Sequence, residues 1–532
     1  MAESSDSIAG ARGSIPRLWY VAFGIAIFAI VFAAVTNQAW EDYYITFRLS
    51  RNLVDGHGLV FQVGERVHTF TSPLGVLIPA LGFLLTHSET LALWTIRLAN
   101  IAAIAGAAAL VLRTTKGTPL VIATALAFAV LDSKTLSFAT NGMETGIFVF
   151  FTAWLWHELA KPDDGPRMLS LAFAFAGLMW TRPDGVIPIL AVLVSTWLFF
   201  VIKQPQPYRR LWWRRVFAAA GIGALLYAPW FFWAWSYYGS PVPNTIVAKS
   251  VIAPAPFSLS KLLVAPLASL IGPTNLDGVF GPIFFLPQEW PRDFPLVWRL
   301  LARVAAFAWL FPRVPTWART ASFATMLGGV YLQYLIPFAW YYGPWTFLGG
   351  VALAGVVRAL LELGPRGKPF VRIGAATLIL ASLGLVAAAA QTGRAQSQWV
   401  ETNGRKAIGL WLRANAKPTD TVFLEPLGYV GYFSGLKMLD YPGLSAPEVT
   451  ALVREGRRNF GQLIASLQPT WLVLRPTDIH DHRLEEQPVF RDYQFIRAWD
   501  QRPHLDAIAV LPSRSALEYD AVYLVFKRKA AN

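Results

Sequence analysis

Long apolar runs separated by short basic loops constrain this chain more than any other feature. The first run, at about 18–37, has the roughly 20 residues that a helix needs to cross a bilayer. Only 15% of the residues are charged, whereas a soluble protein has about 25%. The chain is therefore predicted to be an α-helical polytopic membrane protein. We expect about eleven spanning helices, at roughly 18–37, 92–112, 118–132, 143–160, 168–181, 185–202, 214–236, 297–312, 320–340, 344–363 and 370–391.

The basic residues indicate how these helices are oriented. Arg12 and Arg17 precede the first run, and lysine and arginine concentrate on the cytoplasmic side of membrane proteins, so we place the N-terminus in the cytoplasm. Counting from there, nearly every loop expected inside is basic. This assignment requires that residues 72–86, a short run with two prolines and two glycines, do not span. They are expected to form a juxtamembrane or re-entrant helix.

The predicted spans leave two long outer loops and a C-terminal domain. The loops cover about 38–91 and 237–296, and the first should contain an amphipathic interfacial helix at 41–54. The composition becomes polar at about 392, so we expect a transmembrane domain, 1–391, and a periplasmic soluble α/β domain, 392–532. In the second domain we predict helices at 402–415 and 446–467, and strands at Trp471–Leu474, Ala507–Val510 and Ala521–Phe526.

Composition argues against several kinds of function. Much of the net charge of +14 comes from loops between apolar runs, so membrane lipid, and not nucleic acid, is the expected partner. The chain has no cysteine, which rules out disulfides, thiolate metal sites and cysteine nucleophiles. Neither a Walker loop nor a dinucleotide-binding motif is found. His480 and His482 lack further clustered ligands, so no metal site is predicted and no cofactor is required. A divalent ion between a carboxylate and a phosphate stays an open alternative.

The segment from Trp40 to Arg51 has the composition of a transferase site. Charge at a membrane boundary is costly, and here Glu41 and Asp42 follow the first apolar run directly. Transfer from a lipid-phosphate sugar needs one carboxylate as a general base, because the phosphate leaves as a stable anion. Arg48 and Arg51 share a helix face and are candidates for holding that phosphate. Adjacent carboxylates do not share a face, so only one is expected to be the base. A solvated interfacial helix is the alternative.

Four charged residues further along the chain are also candidates. Arg182 and Lys249 are candidates for phosphate binding, and Glu144 and Asp184 for substrate binding, because all four are predicted on the outer side. Each has a structural alternative. Glu144 opens a helix, where the dipole favours a carboxylate. Arg182 and Asp184 would form an ion pair in a tight turn, and Lys249 would be a solvated lysine.

Three further residues are candidates for contact with a sugar. His57 lies between two glycines in the first outer loop, and a turn histidine is its alternative explanation. Tyr341 and Tyr342 follow a predicted span on the outer side, where aromatic rings stack on sugars. The same rings are also typical of the aromatic belt at a membrane interface.

Several short motifs occur here in a characteristic order. They are Glu41-Asp42-Tyr43-Tyr44-Ile45-Thr46-Phe47-Arg48, Gly56-His57-Gly58, Thr71-Ser72-Pro73-Leu74, Asn141-Gly142-Met143-Glu144-Thr145, Thr181-Arg182-Pro183-Asp184-Gly185 and Glu425-Pro426-Leu427-Gly428-Tyr429. In this order the chain resembles the GT-C glycosyltransferases, above all the branch of the mycobacterial terminal arabinofuranosyltransferases. The resemblance covers most of the chain, and its motifs do not specify the sugar.

The resemblance implies an activity and a location. GT-C enzymes of this kind carry a catalytic acid residue in the first outer loop and use a polyprenyl-phosphate sugar, with inversion and a periplasmic active site. By resemblance the chain would be a multi-pass protein of the bacterial plasma membrane that takes part in cell-envelope biogenesis. Its acceptor would be a glycan, glycolipid or protein, and arabinofuranose is one candidate sugar. Glu41 stands where the family commonly has Asp, which makes Asp42 the first choice for the base and Glu41 the second.

A membrane transporter or lipid flippase is the alternative function. Such proteins place ionisable residues near the bilayer midplane and often contain inverted repeats. Here the notable charges concentrate at the predicted outer ends of the helices, and no repeat is evident. An inverting glycosyltransferase is therefore the leading hypothesis.

Overall fold

Helices form most of the protein. The computed structural model describes residues 3–115, 117–161, 165–252, 258–284, 289–291, 293–335 and 337–530. Parts of the second predicted outer loop, at 253–257, 285–288 and 292, lie outside the described residues. The helices that begin before residue 396 are α1 Glu3–Thr36, α2 Glu41–Val54, α3 Pro73–Thr86, α4 Glu89–Thr114, α5 Pro119–Ala129, α6 Ser133–Thr140, α7 Thr145–Leu159, α8 Met168–Thr181, α9 Val186–Phe199, α10 Gln206–Tyr238, α11 Asn244–Ile252, α12 Leu259–Ile271, α13 Phe294–Phe307, α14 Thr316–Leu332, α15 Gly343–Glu362 and α16 Lys368–Ala395.

The C-terminal part alternates helices and strands. A π-helix, Gln396–Lys406, leads into it. Its remaining elements are α17 Ala407–Asn415, β1 Thr421–Leu424, α18 Leu427–Ser434, β2 Lys437–Asp440, α19 Pro447–Arg454, α20 Phe460–Leu467, β3 Trp471–Leu474, α21 Pro476–Asp481, β4 Tyr493–Asp500, α22 Arg502–Asp506, α23 Arg514–Glu518 and β5 Val522–Arg528.

The polytopic class is confirmed, although the number of spans is not. Within the described residues, six helices are long and apolar enough to cross a membrane, or seven if α5 and α6, bent by 53°, count as one. Several predicted spans are shorter helices, such as α7 with 15 residues. The run at 72–86 forms α3, whose 14 residues extend roughly 21 Å. That is less than the about 30 Å of a hydrocarbon core, and that this run does not span stays a prediction.

The described chain divides into two compact units. The first comprises residues 1–35, 97–228 and 257–390. Its core is apolar and contains the buried indoles of Trp156, Trp298 and Trp345. α15 packs closely on α5, because a Cβ at Gly350 would lie 2.4 Å from the backbone nitrogen of Ala129. Small residues commonly permit such close contact between membrane helices.

The second unit joins the first outer loop to the C-terminal part. It comprises residues 36–96, 229–256 and 391–532. Its sheet has the strand order β2-β1-β3-β5-β4. β1 is parallel to β2 and β3, and β5 is antiparallel to β3 and β4. The predicted soluble α/β part therefore has a mixed sheet covered by short helices.

The local predictions for the second unit have different outcomes. The helix at 41–54 is confirmed with the same bounds as α2, and the strand at 471–474 is confirmed as β3. The strand predicted at 507–510 is wrong: this segment is not a strand, and Val510 is largely exposed. The helix predicted at 446–467 is interrupted between α19 and α20, where Gly456 has a φ of 93°. β1, β2 and β4 were not predicted.

Candidate active site

The two neighbouring carboxylates lie in the first turn of α2. Trp40 precedes the helix and makes no side-chain cap, whereas Glu41 and Asp42 both lie in the first turn. Acidic side chains are favoured there because the N-terminal end of the helix dipole is positive. The sequence thus presents two carboxylates at the start of one helix, on different faces.

Glu41 is held by the C-terminal part of the chain. Its carboxylate accepts a hydrogen bond from the backbone N–H of Gly428, in the first turn of α18. The contact requires glycine, because a Cβ at position 428 would lie 2.1 Å from the carbonyl oxygen of Glu41. Burial raises the pKa of Glu41 well above its ordinary value, and the charge of Asp42 raises it further, while Arg405 opposes both effects. Glu41 is therefore a docking residue whose charged form is disfavoured.

Asp42 has a different environment. It is half-buried, and within the described part of the chain it accepts no hydrogen bond and forms no ion pair. Of the two neighbours, Asp42 is the carboxylate that remains available to a substrate.

Arg48 has an internal use that the sequence did not indicate. Its guanidinium group donates to the carbonyl oxygens of Gly431, Gly435 and Leu436 at 2.9, 3.2 and 3.1 Å. It also lies 4.3 Å from the ring centroid of Phe61, and Arg48 is only 7% exposed. Burial lowers its pKa to about 10. These contacts fasten α2 to the end of α18, so we do not retain Arg48 as a phosphate ligand.

Arg51 is more accessible. One guanidinium nitrogen lies 3.3 Å from Glu89 and 3.2 Å from the hydroxyl of Tyr432, and another lies 3.4 Å from Asp55. The side chain is 39% exposed. His57 follows in an exposed turn, where Gly56 and Gly58 have φ values of 83° and 86°.

The first unit contains a second cluster of predicted residues. Arg182 donates to Glu144 at 3.2 Å and to Asp184 at 2.8 Å, and its Cζ lies 4.7 Å from the ring centroid of Tyr341. Tyr331 also donates to Asp184, at 3.1 Å. The predicted ion pair of Arg182 and Asp184 is present, and Glu144 joins it. Arg182 and Glu144 are buried, whereas Asp184, Tyr331 and Tyr341 are partly exposed.

Tyr342 and Lys249 are the two remaining candidates. Tyr342 is buried and donates to the backbone carbonyl of Asn275 at 2.9 Å. It also lies so close to Gly278 that a Cβ there would be 2.6 Å from the ring. Lys249 is half-buried on α11, in the second unit.

Sequence reasoning missed a buried charge network in the second unit. Glu401 and Arg405, on the π-helix, form an ion pair at 2.8 Å, and Arg405 also pairs with Asp520 at 2.6 Å. Asp520 in turn lies 2.7 Å from Arg475. Burial alone would raise the pKa of Asp520, but the guanidinium groups of Arg405 and Arg475 lower it below its ordinary value. The spacing of Glu401 and Arg405, one helical turn apart, is the sequence signal from which this pair could have been predicted. A π-helix often marks a functional region.

A second missed pair lies in the first unit. Asp132 and Lys134 are both buried, and their charged atoms are 3.6 Å apart. Lys134 also donates to the carbonyl of Gly281 at 2.5 Å. Charged residues next to a long apolar run were the available signal, because such residues rarely lie in a membrane protein without a partner.

No metal centre is formed by the part of the chain that the structure describes. There, no three His, Cys, Asp or Glu residues are grouped to hold an ion. His482 instead stacks on Phe460, with ring centroids 3.9 Å apart, and its Nδ1 accepts the N–H of that residue at 3.3 Å. His480 is exposed.

Replacing Glu41 by Gln tests its docking role. Glutamine can still accept the Gly428 N–H, but it has no charge to bury. The unfolded chain releases the Glu41 proton near the ordinary pKa of 4.5, whereas the folded protein releases it at higher pH. Stability of the wild type should therefore fall as the pH rises between these two values. We expect Glu41→Gln to match the wild type below pH 4.5 and to become progressively more stable above it.

Thermal unfolding in detergent across a pH series measures this difference. Glu485→Gln, at an exposed position, is the matched control and should follow the wild type throughout. Parallel pH curves for the wild type and Glu41→Gln would contradict the assignment.

Comparison with known proteins adds relatives and neighbours. A family model described as "Domain of unknown function (DUF8728)" matches residues 390–524. The terminal β-(1→2)-arabinofuranosyltransferase of Mycobacterium tuberculosis is 27% identical over 229 residues, 39% of this chain and 34% of that protein. Its counterpart from Corynebacterium glutamicum is 29% identical over 281 residues, 46% of this chain and 38% of that protein. The matches thus span little more than a third of these relatives.

Solved structures match over nearly the whole chain. ArnT from Cupriavidus metallidurans bound to undecaprenyl phosphate has a TM-score of 0.50 and 16% identity, and the match covers 98% of this chain and 99% of ArnT. The mycobacterial arabinofuranosyltransferase AftD has a TM-score of 0.43 and 16% identity, covering 95% of this chain and 40% of AftD. The chain therefore is a multi-pass membrane protein with the GT-C glycosyltransferase fold, similar in part of its sequence to terminal arabinofuranosyltransferases.

Proposed function

We propose that this protein is an inverting glycosyltransferase that moves a sugar from a polyprenyl-phosphate donor to a cell-envelope acceptor on the periplasmic side. Similarity to terminal arabinofuranosyltransferases supports the reaction class and makes arabinofuranose the first sugar to test. A lipid-phosphate donor is supported by the shared fold with ArnT, which has been solved with undecaprenyl phosphate.

One observation carries the proposal: an unpaired carboxylate next to an anchored one. Glu41 is committed to the Gly428 N–H, whereas Asp42 has no partner among the described residues. We assign Asp42 as the general base and Glu41 as the residue that holds the start of α2 in place. A half-buried, unpaired carboxylate fits a base that must take a proton from an incoming hydroxyl.

The reaction is a single displacement at the anomeric carbon. Asp42 accepts the proton of an acceptor hydroxyl, and the hydroxyl oxygen forms a bond to the anomeric carbon. The bond from that carbon to the phosphate oxygen breaks on the opposite face, and polyprenyl phosphate leaves with the electron pair. The leaving phosphate needs no proton, which explains why one carboxylate is enough.

Cationic groups are proposed to bind the donor phosphate. Arg51 is our first choice in the second unit, because its guanidinium group is partly accessible. Arg182 remains a proposed phosphate contact in the first unit, although its guanidinium group already donates to Glu144 and Asp184. A guanidinium group can donate two parallel hydrogen bonds to a phosphate. Lys249 remains a proposed phosphate contact, and His57, Tyr341 and Tyr342 remain proposed sugar contacts.

A transfer assay tests this function. Purified protein in proteoliposomes receives a panel of radiolabelled polyprenyl-phosphate sugars and extracted envelope acceptors. We expect label to appear in an acceptor from one donor, and nuclear magnetic resonance of the product to show an inverted anomeric configuration. Absence of transfer from every donor by folded protein would refute the proposal. Retained configuration would refute the single displacement.

A further inference from the structure

The carboxyl edge of the small sheet has the topology of a ligand site. β1 lies between β2 and β3 and is parallel to both. From β1 the chain passes through α18 to β2 on one side, and then crosses through α19 and α20 to β3 on the other. The connections after β1 and β3 therefore diverge, and such a switch point leaves a crevice where open α/β sheets bind ligands. Glu425 follows β1 there, and Arg475 follows β3.

The side chains at this edge are pre-organised around one arginine. Arg475 is 5% exposed and pairs with Glu425 on one side and with Asp520, at 2.7 Å, on the other. Its Cζ lies 4.6 Å from the ring centroid of Tyr519. The two groups that it orients face solvent, because Glu425 is 41% and Tyr519 50% exposed. One oxygen of Glu425, Oε1, has no hydrogen-bond donor among the described residues. Arg475 thus contacts both an exposed aromatic ring and a carboxylate whose Oε1 can still accept a hydrogen bond.

The charges at this edge select the kind of ligand. Glu425, Asp478 and Asp520 surround Arg475, whose Nε and Nη1 are already paired with these carboxylates. A phosphate or other anion would meet more negative than positive charge here, so the lipid-phosphate donor is disfavoured. A neutral glycan suits the site, because its hydroxyls donate to a carboxylate and its apolar face packs on an aromatic ring.

The edge is also linked to the proposed base through Gly428. Glu425 and Gly428 are three positions apart, which limits the distance between their Cα atoms to roughly 11 Å. The N–H of Gly428 contacts Glu41, the neighbour of Asp42. A glycan that rests on the edge is thus within a few sugar units of the start of α2.

We propose that Glu425, Arg475 and Tyr519 form an acceptor subsite that binds an internal sugar of a neutral glycan chain while its terminal hydroxyl reaches Asp42. The inference rests on the proposed function and specifies its acceptor: a polymeric glycan longer than the unit that reacts.

Acceptor length tests the subsite. Wild type, Tyr519→Ala and Glu425→Gln are assayed with a synthetic oligo-arabinofuranoside series that begins at the disaccharide. For long acceptors we expect each variant to raise the KM about tenfold, the effect of losing about 1.4 kcal/mol of binding free energy. The KM of the disaccharide, the KM of the donor and the kcat should not change. Tyr519→Phe keeps the ring and should behave as the wild type.

Controls separate this result from general damage. Phe495→Ala removes an exposed ring from β4 and should leave all constants unchanged. An unchanged KM for long acceptors in Tyr519→Ala, an equal rise for short and long acceptors, or a rise in the donor KM would overturn the subsite.

A binding measurement keeps the subsite distinct from the catalytic proposal. If the wild type transfers no sugar, the proposed function fails, and saturation-transfer nuclear magnetic resonance with the longest oligo-arabinofuranoside decides on the subsite. Signals with the wild type and Tyr519→Phe, and their loss in Tyr519→Ala, would support it. Equal signals from all three proteins, or none from the wild type, would refute it.

Discussion

Replacing Asp42 by Asn is expected to reduce sugar transfer by about a hundred- to ten-thousand-fold, the range that a general base contributes. Asparagine has nearly the shape of aspartate but cannot accept the acceptor proton. Asp42 has no hydrogen bond or ion pair within the described residues, and its charge raises the pKa of Glu41, so the thermal midpoint of Asp42→Asn should not fall below that of the wild type. Initial rates in proteoliposomes and thermal unfolding in detergent measure the two effects on the same preparation.

The neighbouring carboxylate provides the matched control for this experiment. Glu41→Gln keeps the hydrogen bond to the Gly428 N–H and should retain most of the transfer activity. Transfer at the wild-type rate by folded Asp42→Asn would exclude Asp42 as the base. If Glu41→Gln alone abolished transfer, the two roles would have to be exchanged.

Replacing Arg405 by Met is expected to give the largest loss of stability. It removes the shared partner of Glu401 and Asp520 and leaves the fully buried Glu401 without its ion pair. Removal of one member of a buried ion pair typically costs about 3–5 kcal/mol. Activity should fall in proportion to the folded fraction. Arg405 also opposes the raised pKa of Glu41, so its loss should raise that pKa further. Thermal unfolding followed by tryptophan fluorescence measures the change.

A surface arginine tests whether burial explains the loss of stability expected for Arg405→Met. Arg502 pairs with Asp500 on the surface, and its side chain is 56% exposed. Exposed pairs contribute about 0–1 kcal/mol, so Arg502→Met should leave the thermal midpoint nearly unchanged. Equal losses in the two variants would contradict the account of the buried network.

The sequence predicts those features that depend on neighbouring residues. The helix at 41–54 was predicted with its true bounds, because its apolar residues recur at helical spacing and glycines follow it. An ion pair between Arg182 and Asp184 was one of the two interpretations of these residues, and it could be foreseen because both lie in one turn. The polytopic class follows from the apolar runs alone.

Features that depend on distant parts of the chain could not be predicted. Arg48 was a phosphate candidate because it shares a helix face with Arg51. Its contact with Gly431 could not be foreseen, because the two residues lie 383 positions apart. The docking of Glu41 on Gly428 is equally remote, at 387 positions. Short strands were missed for a related reason: β1 and β2 have only four residues each, too few for a periodic pattern. β4 was missed because most of its side chains are exposed.

The balance between lipid phosphate released and glycosidic bonds formed tests the central claim most directly. Donor labelled in both the sugar and the phosphate is incubated with acceptor and with the wild type or Asp42→Asn. Our account predicts one polyprenyl phosphate released for each sugar joined to acceptor by the wild type, and neither product with Asp42→Asn. Donor that crosses the membrane with its sugar–phosphate bond intact, or the same products from both proteins, would contradict it.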